Sequence, residues 1–227
     1  MKREPVAIRH LGMQAYPLVY EAMQTFTAER TPTTPDEIWF CEHPPVFTVG
    51  LRADPLVQGD LLIASSAAQR GLSEQAVNPL GPGDQPIPII QTDRGGHITY
   101  HGPGQVMVYF LLNLRQRKQG PAQLVCLIEK TIIQCLGNWG ITAHLRAGMP
   151  GVYVDDAKIC ALGLRIKNGC SYHGLALNVD MDLRPFDQIH PCGYQDLKVT
   201  QMTDHLATPP SMKAVVAQLE QCLLKAL

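Results

Sequence analysis

The 227-residue chain lacks any long hydrophobic run. Its longest strongly apolar stretch, 106–112, is far short of the roughly 20 residues a membrane-spanning helix needs, so no span is expected. Residues 1–6 (Met-Lys-Arg-Glu-Pro-Val) carry none of the apolar segment of a secretory leader. Charge of one sign is also missing: the formal net charge is −1, which favours neither nucleic acid nor an anionic membrane as partner. The seven cysteines are odd in number and show no disulfide-framework spacing. Without an export signal they are expected to be reduced thiols in a cytoplasmic protein, all but one of them buried as small hydrophobes. No Cys-x2-Cys pair and no zincin motif occurs, and Cys41-x-His43, His97-x3-His101 and Cys170-x2-His173 are isolated half-sites, so no metal is expected. There is no Gly-x-Ser-x-Gly elbow, no Gly-Lys-Ser/Thr phosphate-loop ending and no internal repeat. No coiled-coil or exposed apolar pattern appears, and a monomer is expected.

What is present is an ordinary globular composition, 45% apolar, at a length that suits one domain over 1–227. Apolar spacing predicts helices over 16–30, 123–139 and 211–224. Strands are predicted over 6–10, 38–41, 46–49, 87–91, 106–112 and 174–179, with a hairpin of 151–154 and 158–166 turning at Asp155-Asp156. Residues 71–88, rich in proline and glycine, read as a long surface loop or insertion. Helices mixed with strands predict an α+β (mixed α/β) domain, a mixed sheet flanked by helices.

Three segments carry more than scaffolding requires. In Arg94-Gly95-Gly96-His97-Ile98-Thr99-Tyr100-His101-Gly102-Pro103-Gly104-Gln105 the glycines cost backbone entropy, which makes sense where backbone closes on a ligand, or else in a pair of tight turns. Lys158 opens the apolar strand 158–166, where a lone lysine is commonly just a solvated edge residue. Cys192, in His190-Pro191-Cys192-Gly193-Tyr194, lies on a turn, unlike Cys126 and Cys135 within a predicted helix; it is the candidate nucleophile.

Together these segments resemble the lipoyl(octanoyl) transferases. The resemblance runs through 94–105, 151–163, 170–182 and 191–194 and is most specific in Asp93-Arg94-Gly95-Gly96, Thr99-Tyr100-His101-Gly102-Pro103-Gly104-Gln105 and Gly174-Leu175-Ala176-Leu177-Asn178-Val179-Asp180. Weaker similarity includes Glu42-His43-Pro44-Pro45-Val46-Phe47-Thr48. It implies the fold of the biotin and lipoate protein ligases, transfer of an octanoyl (or lipoyl) group from an octanoyl-acyl carrier protein donor, and acceptor lysines on lipoyl domains of 2-oxoacid dehydrogenase E2 subunits or on glycine-cleavage H protein. No cofactor is implied. The resemblance further implies an acyl group resting on Cys192, activated by Lys158. It places the acyl site at Arg94, Gly95, Gly96, His97, Ile98, Thr99, Tyr100, His101, Ala161, Leu162, Gly163, Gly174, Leu175 and Ala176.

The chemistry is consistent. A thiol of ordinary pKa near 8.5 is only a few per cent thiolate at neutral pH, and an adjacent ammonium raises that fraction. Backbone N–H groups near Gly95-Gly96 or Gly193 are candidate oxyanion donors. Leu162, Leu164, Leu175 and Leu177 are expected as pocket walls or as plain core, with small Ala161 and Ala176 beside them. Cys160 is a potential competing thiol. Arg115, Arg117, Lys118, Arg146, Arg165 and Lys167 are candidates for docking acidic partners. Two rivals stay open: an ATP-dependent lipoate ligase on the same fold, which would not need Cys192, and a non-catalytic module that holds an acylated carrier.

Overall fold

The computed structural model describes residues 6–53, 85–189 and 197–227. Cys192 and His190, and residues 71–84 of the predicted loop, lie outside them. Among the described residues the strands are β1 (Ala7–Met13), β2 (Glu37–Glu42), β3 (Val46–Val49), β4 (Ile89–Gln91), β5 (Ile98–His101), β6 (Gln105–Leu111), β7 (His144–Arg146), β8 (Met149–Val154), β9 (Ala157–Lys167) and β10 (Cys170–Asn178). The helices are α1 (Tyr16–Ala28), α2 (Pro121–Gly137) and α3 (Met212–Ala226). Seven strands form one sheet in the order β1-β2-β6-β10-β9-β8-β7, in which β1 and β2 are parallel and the other pairs antiparallel. A second sheet, β4-β3-β5, pairs β3 parallel with β4 and antiparallel with β5.

Strand alternation sorts the central sheet into two faces. Ile38 and Phe40 of β2, Val106, Val108 and Phe110 of β6, Val152 and Val154 of β8, and Leu175 and Leu177 of β10 pack against Leu124, Ile128, Ile132 and Leu136 of α2 and Val215, Leu219 and Leu223 of α3. The intervening Trp39, Cys41, Met107, Tyr109, Leu111 and Ala176 face Val19 and Met23 of α1. β6 is buried along its whole length because both of its faces are covered. A third cluster, Phe47, Val49, Ile98, Tyr100 and Phe186 among its members, fixes the small sheet.

Element ends differ from the sequence reading for local reasons. α2 begins at Pro121, a residue preorganised for the first helical turn, and Gln123 Oε1 accepts from the Gly120 N–H (2.7 Å). α3 is capped by Ser211, whose hydroxyl accepts from Ala214 N. β10 starts at Cys170, earlier than predicted, because β9 offers it a partner along the whole hairpin. The short strands β5 and β7 gave no periodic signal. Leu162 and Leu164 belong to the main core with Leu175 and Leu177. By alternation from Ala161, Gly163 and Ala176 all four lie on the side of α2 and α3, Leu162 and Leu164 only half-buried there, while Leu162 and Leu175 also border the cleft described below.

Candidate active site

The face of the central sheet left open beside α1 carries small residues where a groove is needed. Across β6, β10 and β9 the register makes two rows, Met107–Ala176–Ala161 and Tyr109–Gly174–Gly163. Over them lies the segment between β4 and β5. Together they form a narrow cleft of about 60 Å³. Its lining contains Arg94, Gly95, Gly96, His97, Ile98, Thr99, His101, Ala161, Leu162, Gly163, Gly174, Leu175 and Ala176, so thirteen of the sequence candidates converge on one place. Tyr100 does not join them. It alternates away from Thr99 and His101, is 1% exposed, and packs against Phe47 and Phe186. Tyr16, Met107, Tyr109 and His173 also line the cleft. In the sequence the two tyrosines and the methionine have the pattern of ordinary element residues, and His173 stands out only as half of a metal-ligand spacing.

Arg94 builds the roof. Its guanidinium is buried and donates to Thr48 O (2.6 Å), Thr48 Oγ1 (3.0 Å from Nη2, 3.2 Å from Nε), His97 O (2.7 Å) and Gly95 O (3.0 Å). Gly96 turns beneath it at φ +89°, a conformation costly for residues with a Cβ. The Gly95 N–H donates to Leu164 O (3.1 Å), pinning the roof to β9. That bond removes the Gly95 N–H from the candidate oxyanion donors.

A buried polar chain runs on from Thr48. The hydroxyl donates to His101 Nε2 (3.1 Å), and His101 Nδ1–H donates to Gln105 Oε1 (2.8 Å). Gln105 Nε2 donates to Asn178 Oδ1 (2.8 Å), and Asn178 Nδ2 donates to Thr200 O (2.9 Å). Burial is the main reason the His101 pKa falls to about 3, with nearby His43 in second place. Burial likewise lowers the pKa of His43, which accepts from the Tyr109 hydroxyl (2.7 Å) and donates from Nδ1 to Gln14 O (2.6 Å).

The chain ends beside Lys158. Thr200 N–H donates to Lys158 O (3.0 Å), and Lys158 N–H donates to Lys198 O (2.8 Å). Lys158 is 4% exposed, not a solvated edge residue. Its ammonium lies 5.3 Å from the centroid of the Tyr153 ring. Tyr153 sits between the core residues Val152 and Val154, so it faces the cleft side of the sheet, and Lys158 shares that side. Lys158 is not itself part of the cleft lining. Cys160 is 2% exposed and packs in the main core; burial pushes its thiol far above the ordinary range, more than Lys158 pulls it down. It is no competing nucleophile. Among the other described cysteines, Cys41, Cys135 and Cys170 are buried, but Cys126 and Cys222 are only half-buried.

Of the basic residues considered for docking, Arg117 is engaged with Asp36 (2.5 Å) and Arg146 with Asp156, while Arg115, Lys118, Arg165 and Lys167 are exposed. Among the described residues no group of three or more His, Cys, Asp or Glu side chains gathers as a metal site would, and no helix is long and apolar enough to cross a membrane.

Known proteins fit this arrangement. The family model for the lipoyl protein ligase A/B catalytic domain matches residues 17–224. Octanoyltransferases from Enterobacter sp. (strain 638) and Dechloromonas aromatica are 50% and 48% identical, over 92% and 98% of this chain and 88% and 97% of theirs. Among solved structures, a lipoate protein ligase from Thermoplasma acidophilum with bound lipoic acid superposes with a TM-score of 0.69 at 12% identity, covering 98% of this chain and 86% of that one. A lipoate-protein ligase A bound with ATP gives a TM-score of 0.69 at 12% identity, over 99% and 85% of the two chains. These structural likenesses establish the shared fold, and the extended sequence identity establishes that the chain belongs to the octanoyltransferases of the lipoyl protein ligase A/B catalytic domain family.

Proposed function

We propose that this octanoyltransferase works through a thioester on Cys192, with Lys158 as its partner. The observation that carries the reading is the placement of Lys158: a buried ammonium on the cleft side of the sheet, with its backbone tied on both sides to 198–200. Cys192 precedes Val199, the bridge partner of Lys158, by seven residues, a tether of at most about 25 Å.

In the resting pair Cys192 is the thiolate and Lys158 the ammonium, each stabilising the other's charged form. The thiolate attacks the carbonyl carbon of the octanoyl thioester on acyl carrier protein. The carrier's C–S bond breaks, and its sulfur leaves as a thiol with the proton of Lys158. A neutral acceptor lysine then attacks the Cys192 thioester. Lys158 takes a proton from the attacking nitrogen, Cys192 leaves as thiolate, and an amide remains. Exchange of one thioester for another is near neutral, and amide formation drives the cycle without ATP. The donor is octanoyl-acyl carrier protein. The acceptors are lipoyl domains of 2-oxoacid dehydrogenase E2 subunits and glycine-cleavage H protein, met by a monomer in the cytoplasm.

The test is intact-mass measurement after mixing with octanoyl-acyl carrier protein. An octanoyl adduct is expected that hydroxylamine removes and that neither Cys192→Ala nor Lys158→Ala forms. Full transfer by Cys192→Ala, or AMP release during turnover, would transfer the assignment to an ATP-dependent ligase. Saturable carrier binding with neither adduct nor transfer would leave only a binding module.

A further inference from the structure

Lys158 stands on a local distortion of the central sheet. Val152 of β8 pairs with Cys160, but the next β8 residue, Tyr153, pairs with Lys158, so β9 carries one extra residue here, Ile159. A bulge of this kind turns the side chains beside it and recurs next to active sites. Ile159 and Cys160 both enter the main core, whereas Lys158 keeps to the cleft side, over the Tyr153 ring.

From the Tyr153 ring the lysine side chain extends over Gly151. A Cβ built on Gly151 would stand 3.5 Å from Lys158 Cδ, 3.3 Å from Lys158 Cε and 2.6 Å from Cys160 O. Gly151 also holds φ +122°, a conformation that residues with a Cβ rarely adopt. The absent side chain is thus the space beside which the end of Lys158 lies. Its direction has a consequence. β8 and β9 are antiparallel, so the step from Tyr153 back to Gly151 runs the same way as the step from Lys158 forward to Ala161. Ala161 lines the cleft, and Lys158 itself does not. The side chain is therefore led from a residue outside the lining towards the cleft.

Gly151 is held from the other side of the sheet. Its N–H donates to Glu129 Oε1 (2.9 Å), a half-buried carboxylate on α2. A charged acceptor makes such a bond stronger than a neutral one would. The neighbours of Glu129 along α2, Ile128 and Ile132, meet the sheet through apolar packing, so this carboxylate serves a strand backbone where its helix otherwise serves the core. Neither Gly151 nor Glu129 lines the cleft.

We propose that Gly151 and Glu129 are positioning residues for octanoyl transfer: Glu129 fixes the Gly151 backbone, and Gly151 leaves open the seat along which Lys158 extends its ammonium into the cleft. The inference rests on Lys158 acting as the partner of Cys192.

The test is the pH profile of Cys192 alkylation by iodoacetamide, followed by peptide mass mapping, with thermal unfolding of each variant alongside. In the wild type the midpoint should lie below the ordinary thiol value of about 8.5, and Lys158→Ala should return it there. Glu129→Ala retains Lys158 and suits a helix, but it releases the seat. Its midpoint should rise by about one unit, which is roughly tenfold less thiolate at neutral pH. Glu129→Gln still offers an oxygen to the Gly151 N–H and should stay near the wild-type midpoint. Gly151→Ala, which fills the seat directly, should raise the midpoint as Glu129→Ala does. A wild-type midpoint in Glu129→Ala, alongside a raised one in Lys158→Ala, would overturn the seat and leave the Cys192–Lys158 pair standing. So would a rise in Glu129→Gln as large as that in Glu129→Ala, because the carboxylate charge and not its bond to Gly151 would then be at work. A wild-type midpoint in Lys158→Ala would instead refute the pair itself. Where Glu129→Ala is too unstable to titrate, Gly151→Ala against the wild type decides on the same terms.

Discussion

Gly163 offers the sharpest test of how the cleft measures its substrate. Its backbone lies outside the left-handed region, so nothing local requires glycine. A Cβ built there would stand 3.0 Å from Gly95 O and 3.5 Å from Arg94 Cδ, across the gap between β9 and the roof. Gly163→Ala should therefore push the Gly95 carbonyl away by a few tenths of an ångström, with a modest loss of stability, and fill part of the Tyr109–Gly174–Gly163 row. That row is the one further from Lys158, where the last carbons of the chain would lie. If the methyl displaces two methylenes from apolar contact, at about 0.8 kcal/mol each, octanoyl transfer loses about 1.6 kcal/mol, or roughly fifteenfold in kcat/KM. A hexanoyl chain ends before this row and should be little affected. The assay is kcat/KM with hexanoyl- and octanoyl-carrier proteins, alongside thermal unfolding of both forms. The reasoning fails if both chains slow equally, or if neither does while the variant remains folded.

Three further outcomes follow from the geometry. Arg94→Ala removes five hydrogen bonds to Thr48, Gly95 and His97 and should destabilise the fold by about 3 kcal/mol or more; Arg94→Lys should not restore it, since an ammonium cannot reproduce the fork. Denaturant titration measures both. Because burial lowers the His101 pKa to about 3, the unfolded chain binds the extra proton below its own pKa near 6.5; His101 alone should remove about 2 kcal/mol of stability between pH 7 and pH 5, with no loss above that window. Buried His43 and His173 shift in the same direction and add to the slope, and His101→Gln should subtract its own share in denaturation at the two pH values. Cys160 should resist alkylation in the native state and react only on unfolding, as peptide mass mapping after brief iodoacetamide treatment would reveal; rapid native labelling would contradict its burial.

Long periodic segments were legible from the sequence. The three helices, β6 and the β8–β9 hairpin lie where apolar spacing and the Asp155-Asp156 turn put them. The cleft was legible as a collection of segments, because glycines and small residues where backbones crowd together leave a compositional trace. Its walls were not, since which side of a strand faces the ligand depends on neighbours distant in sequence. Thus Leu162 and Leu175 pack with the main core while also bordering the cleft, and Met107 and Tyr109, inside an unbroken apolar run, line it too. Tyr100 was carried along with a contiguous motif although a strand presents only alternate residues to one face. Arg94 stood in that motif, but its five contacts to Thr48, Gly95 and His97 depend on a second sheet that no local pattern encodes.

The polar chain from Arg94 to Thr200 has a direction. A guanidinium can only donate, so Thr48 must pass its own hydrogen to His101, and every later group in the line then has its donor and acceptor ends assigned, as far as the Thr200 carbonyl. His101 is held as one tautomer, and the orientations of the Gln105 and Asn178 amides follow without ambiguity. A proton added to His101 would find Thr48 unable to turn, because Arg94 already occupies its lone pairs. The line therefore conducts no proton and stores no alternative arrangement. It works as a ratchet pawl for dipoles, set in one sense by a single arginine.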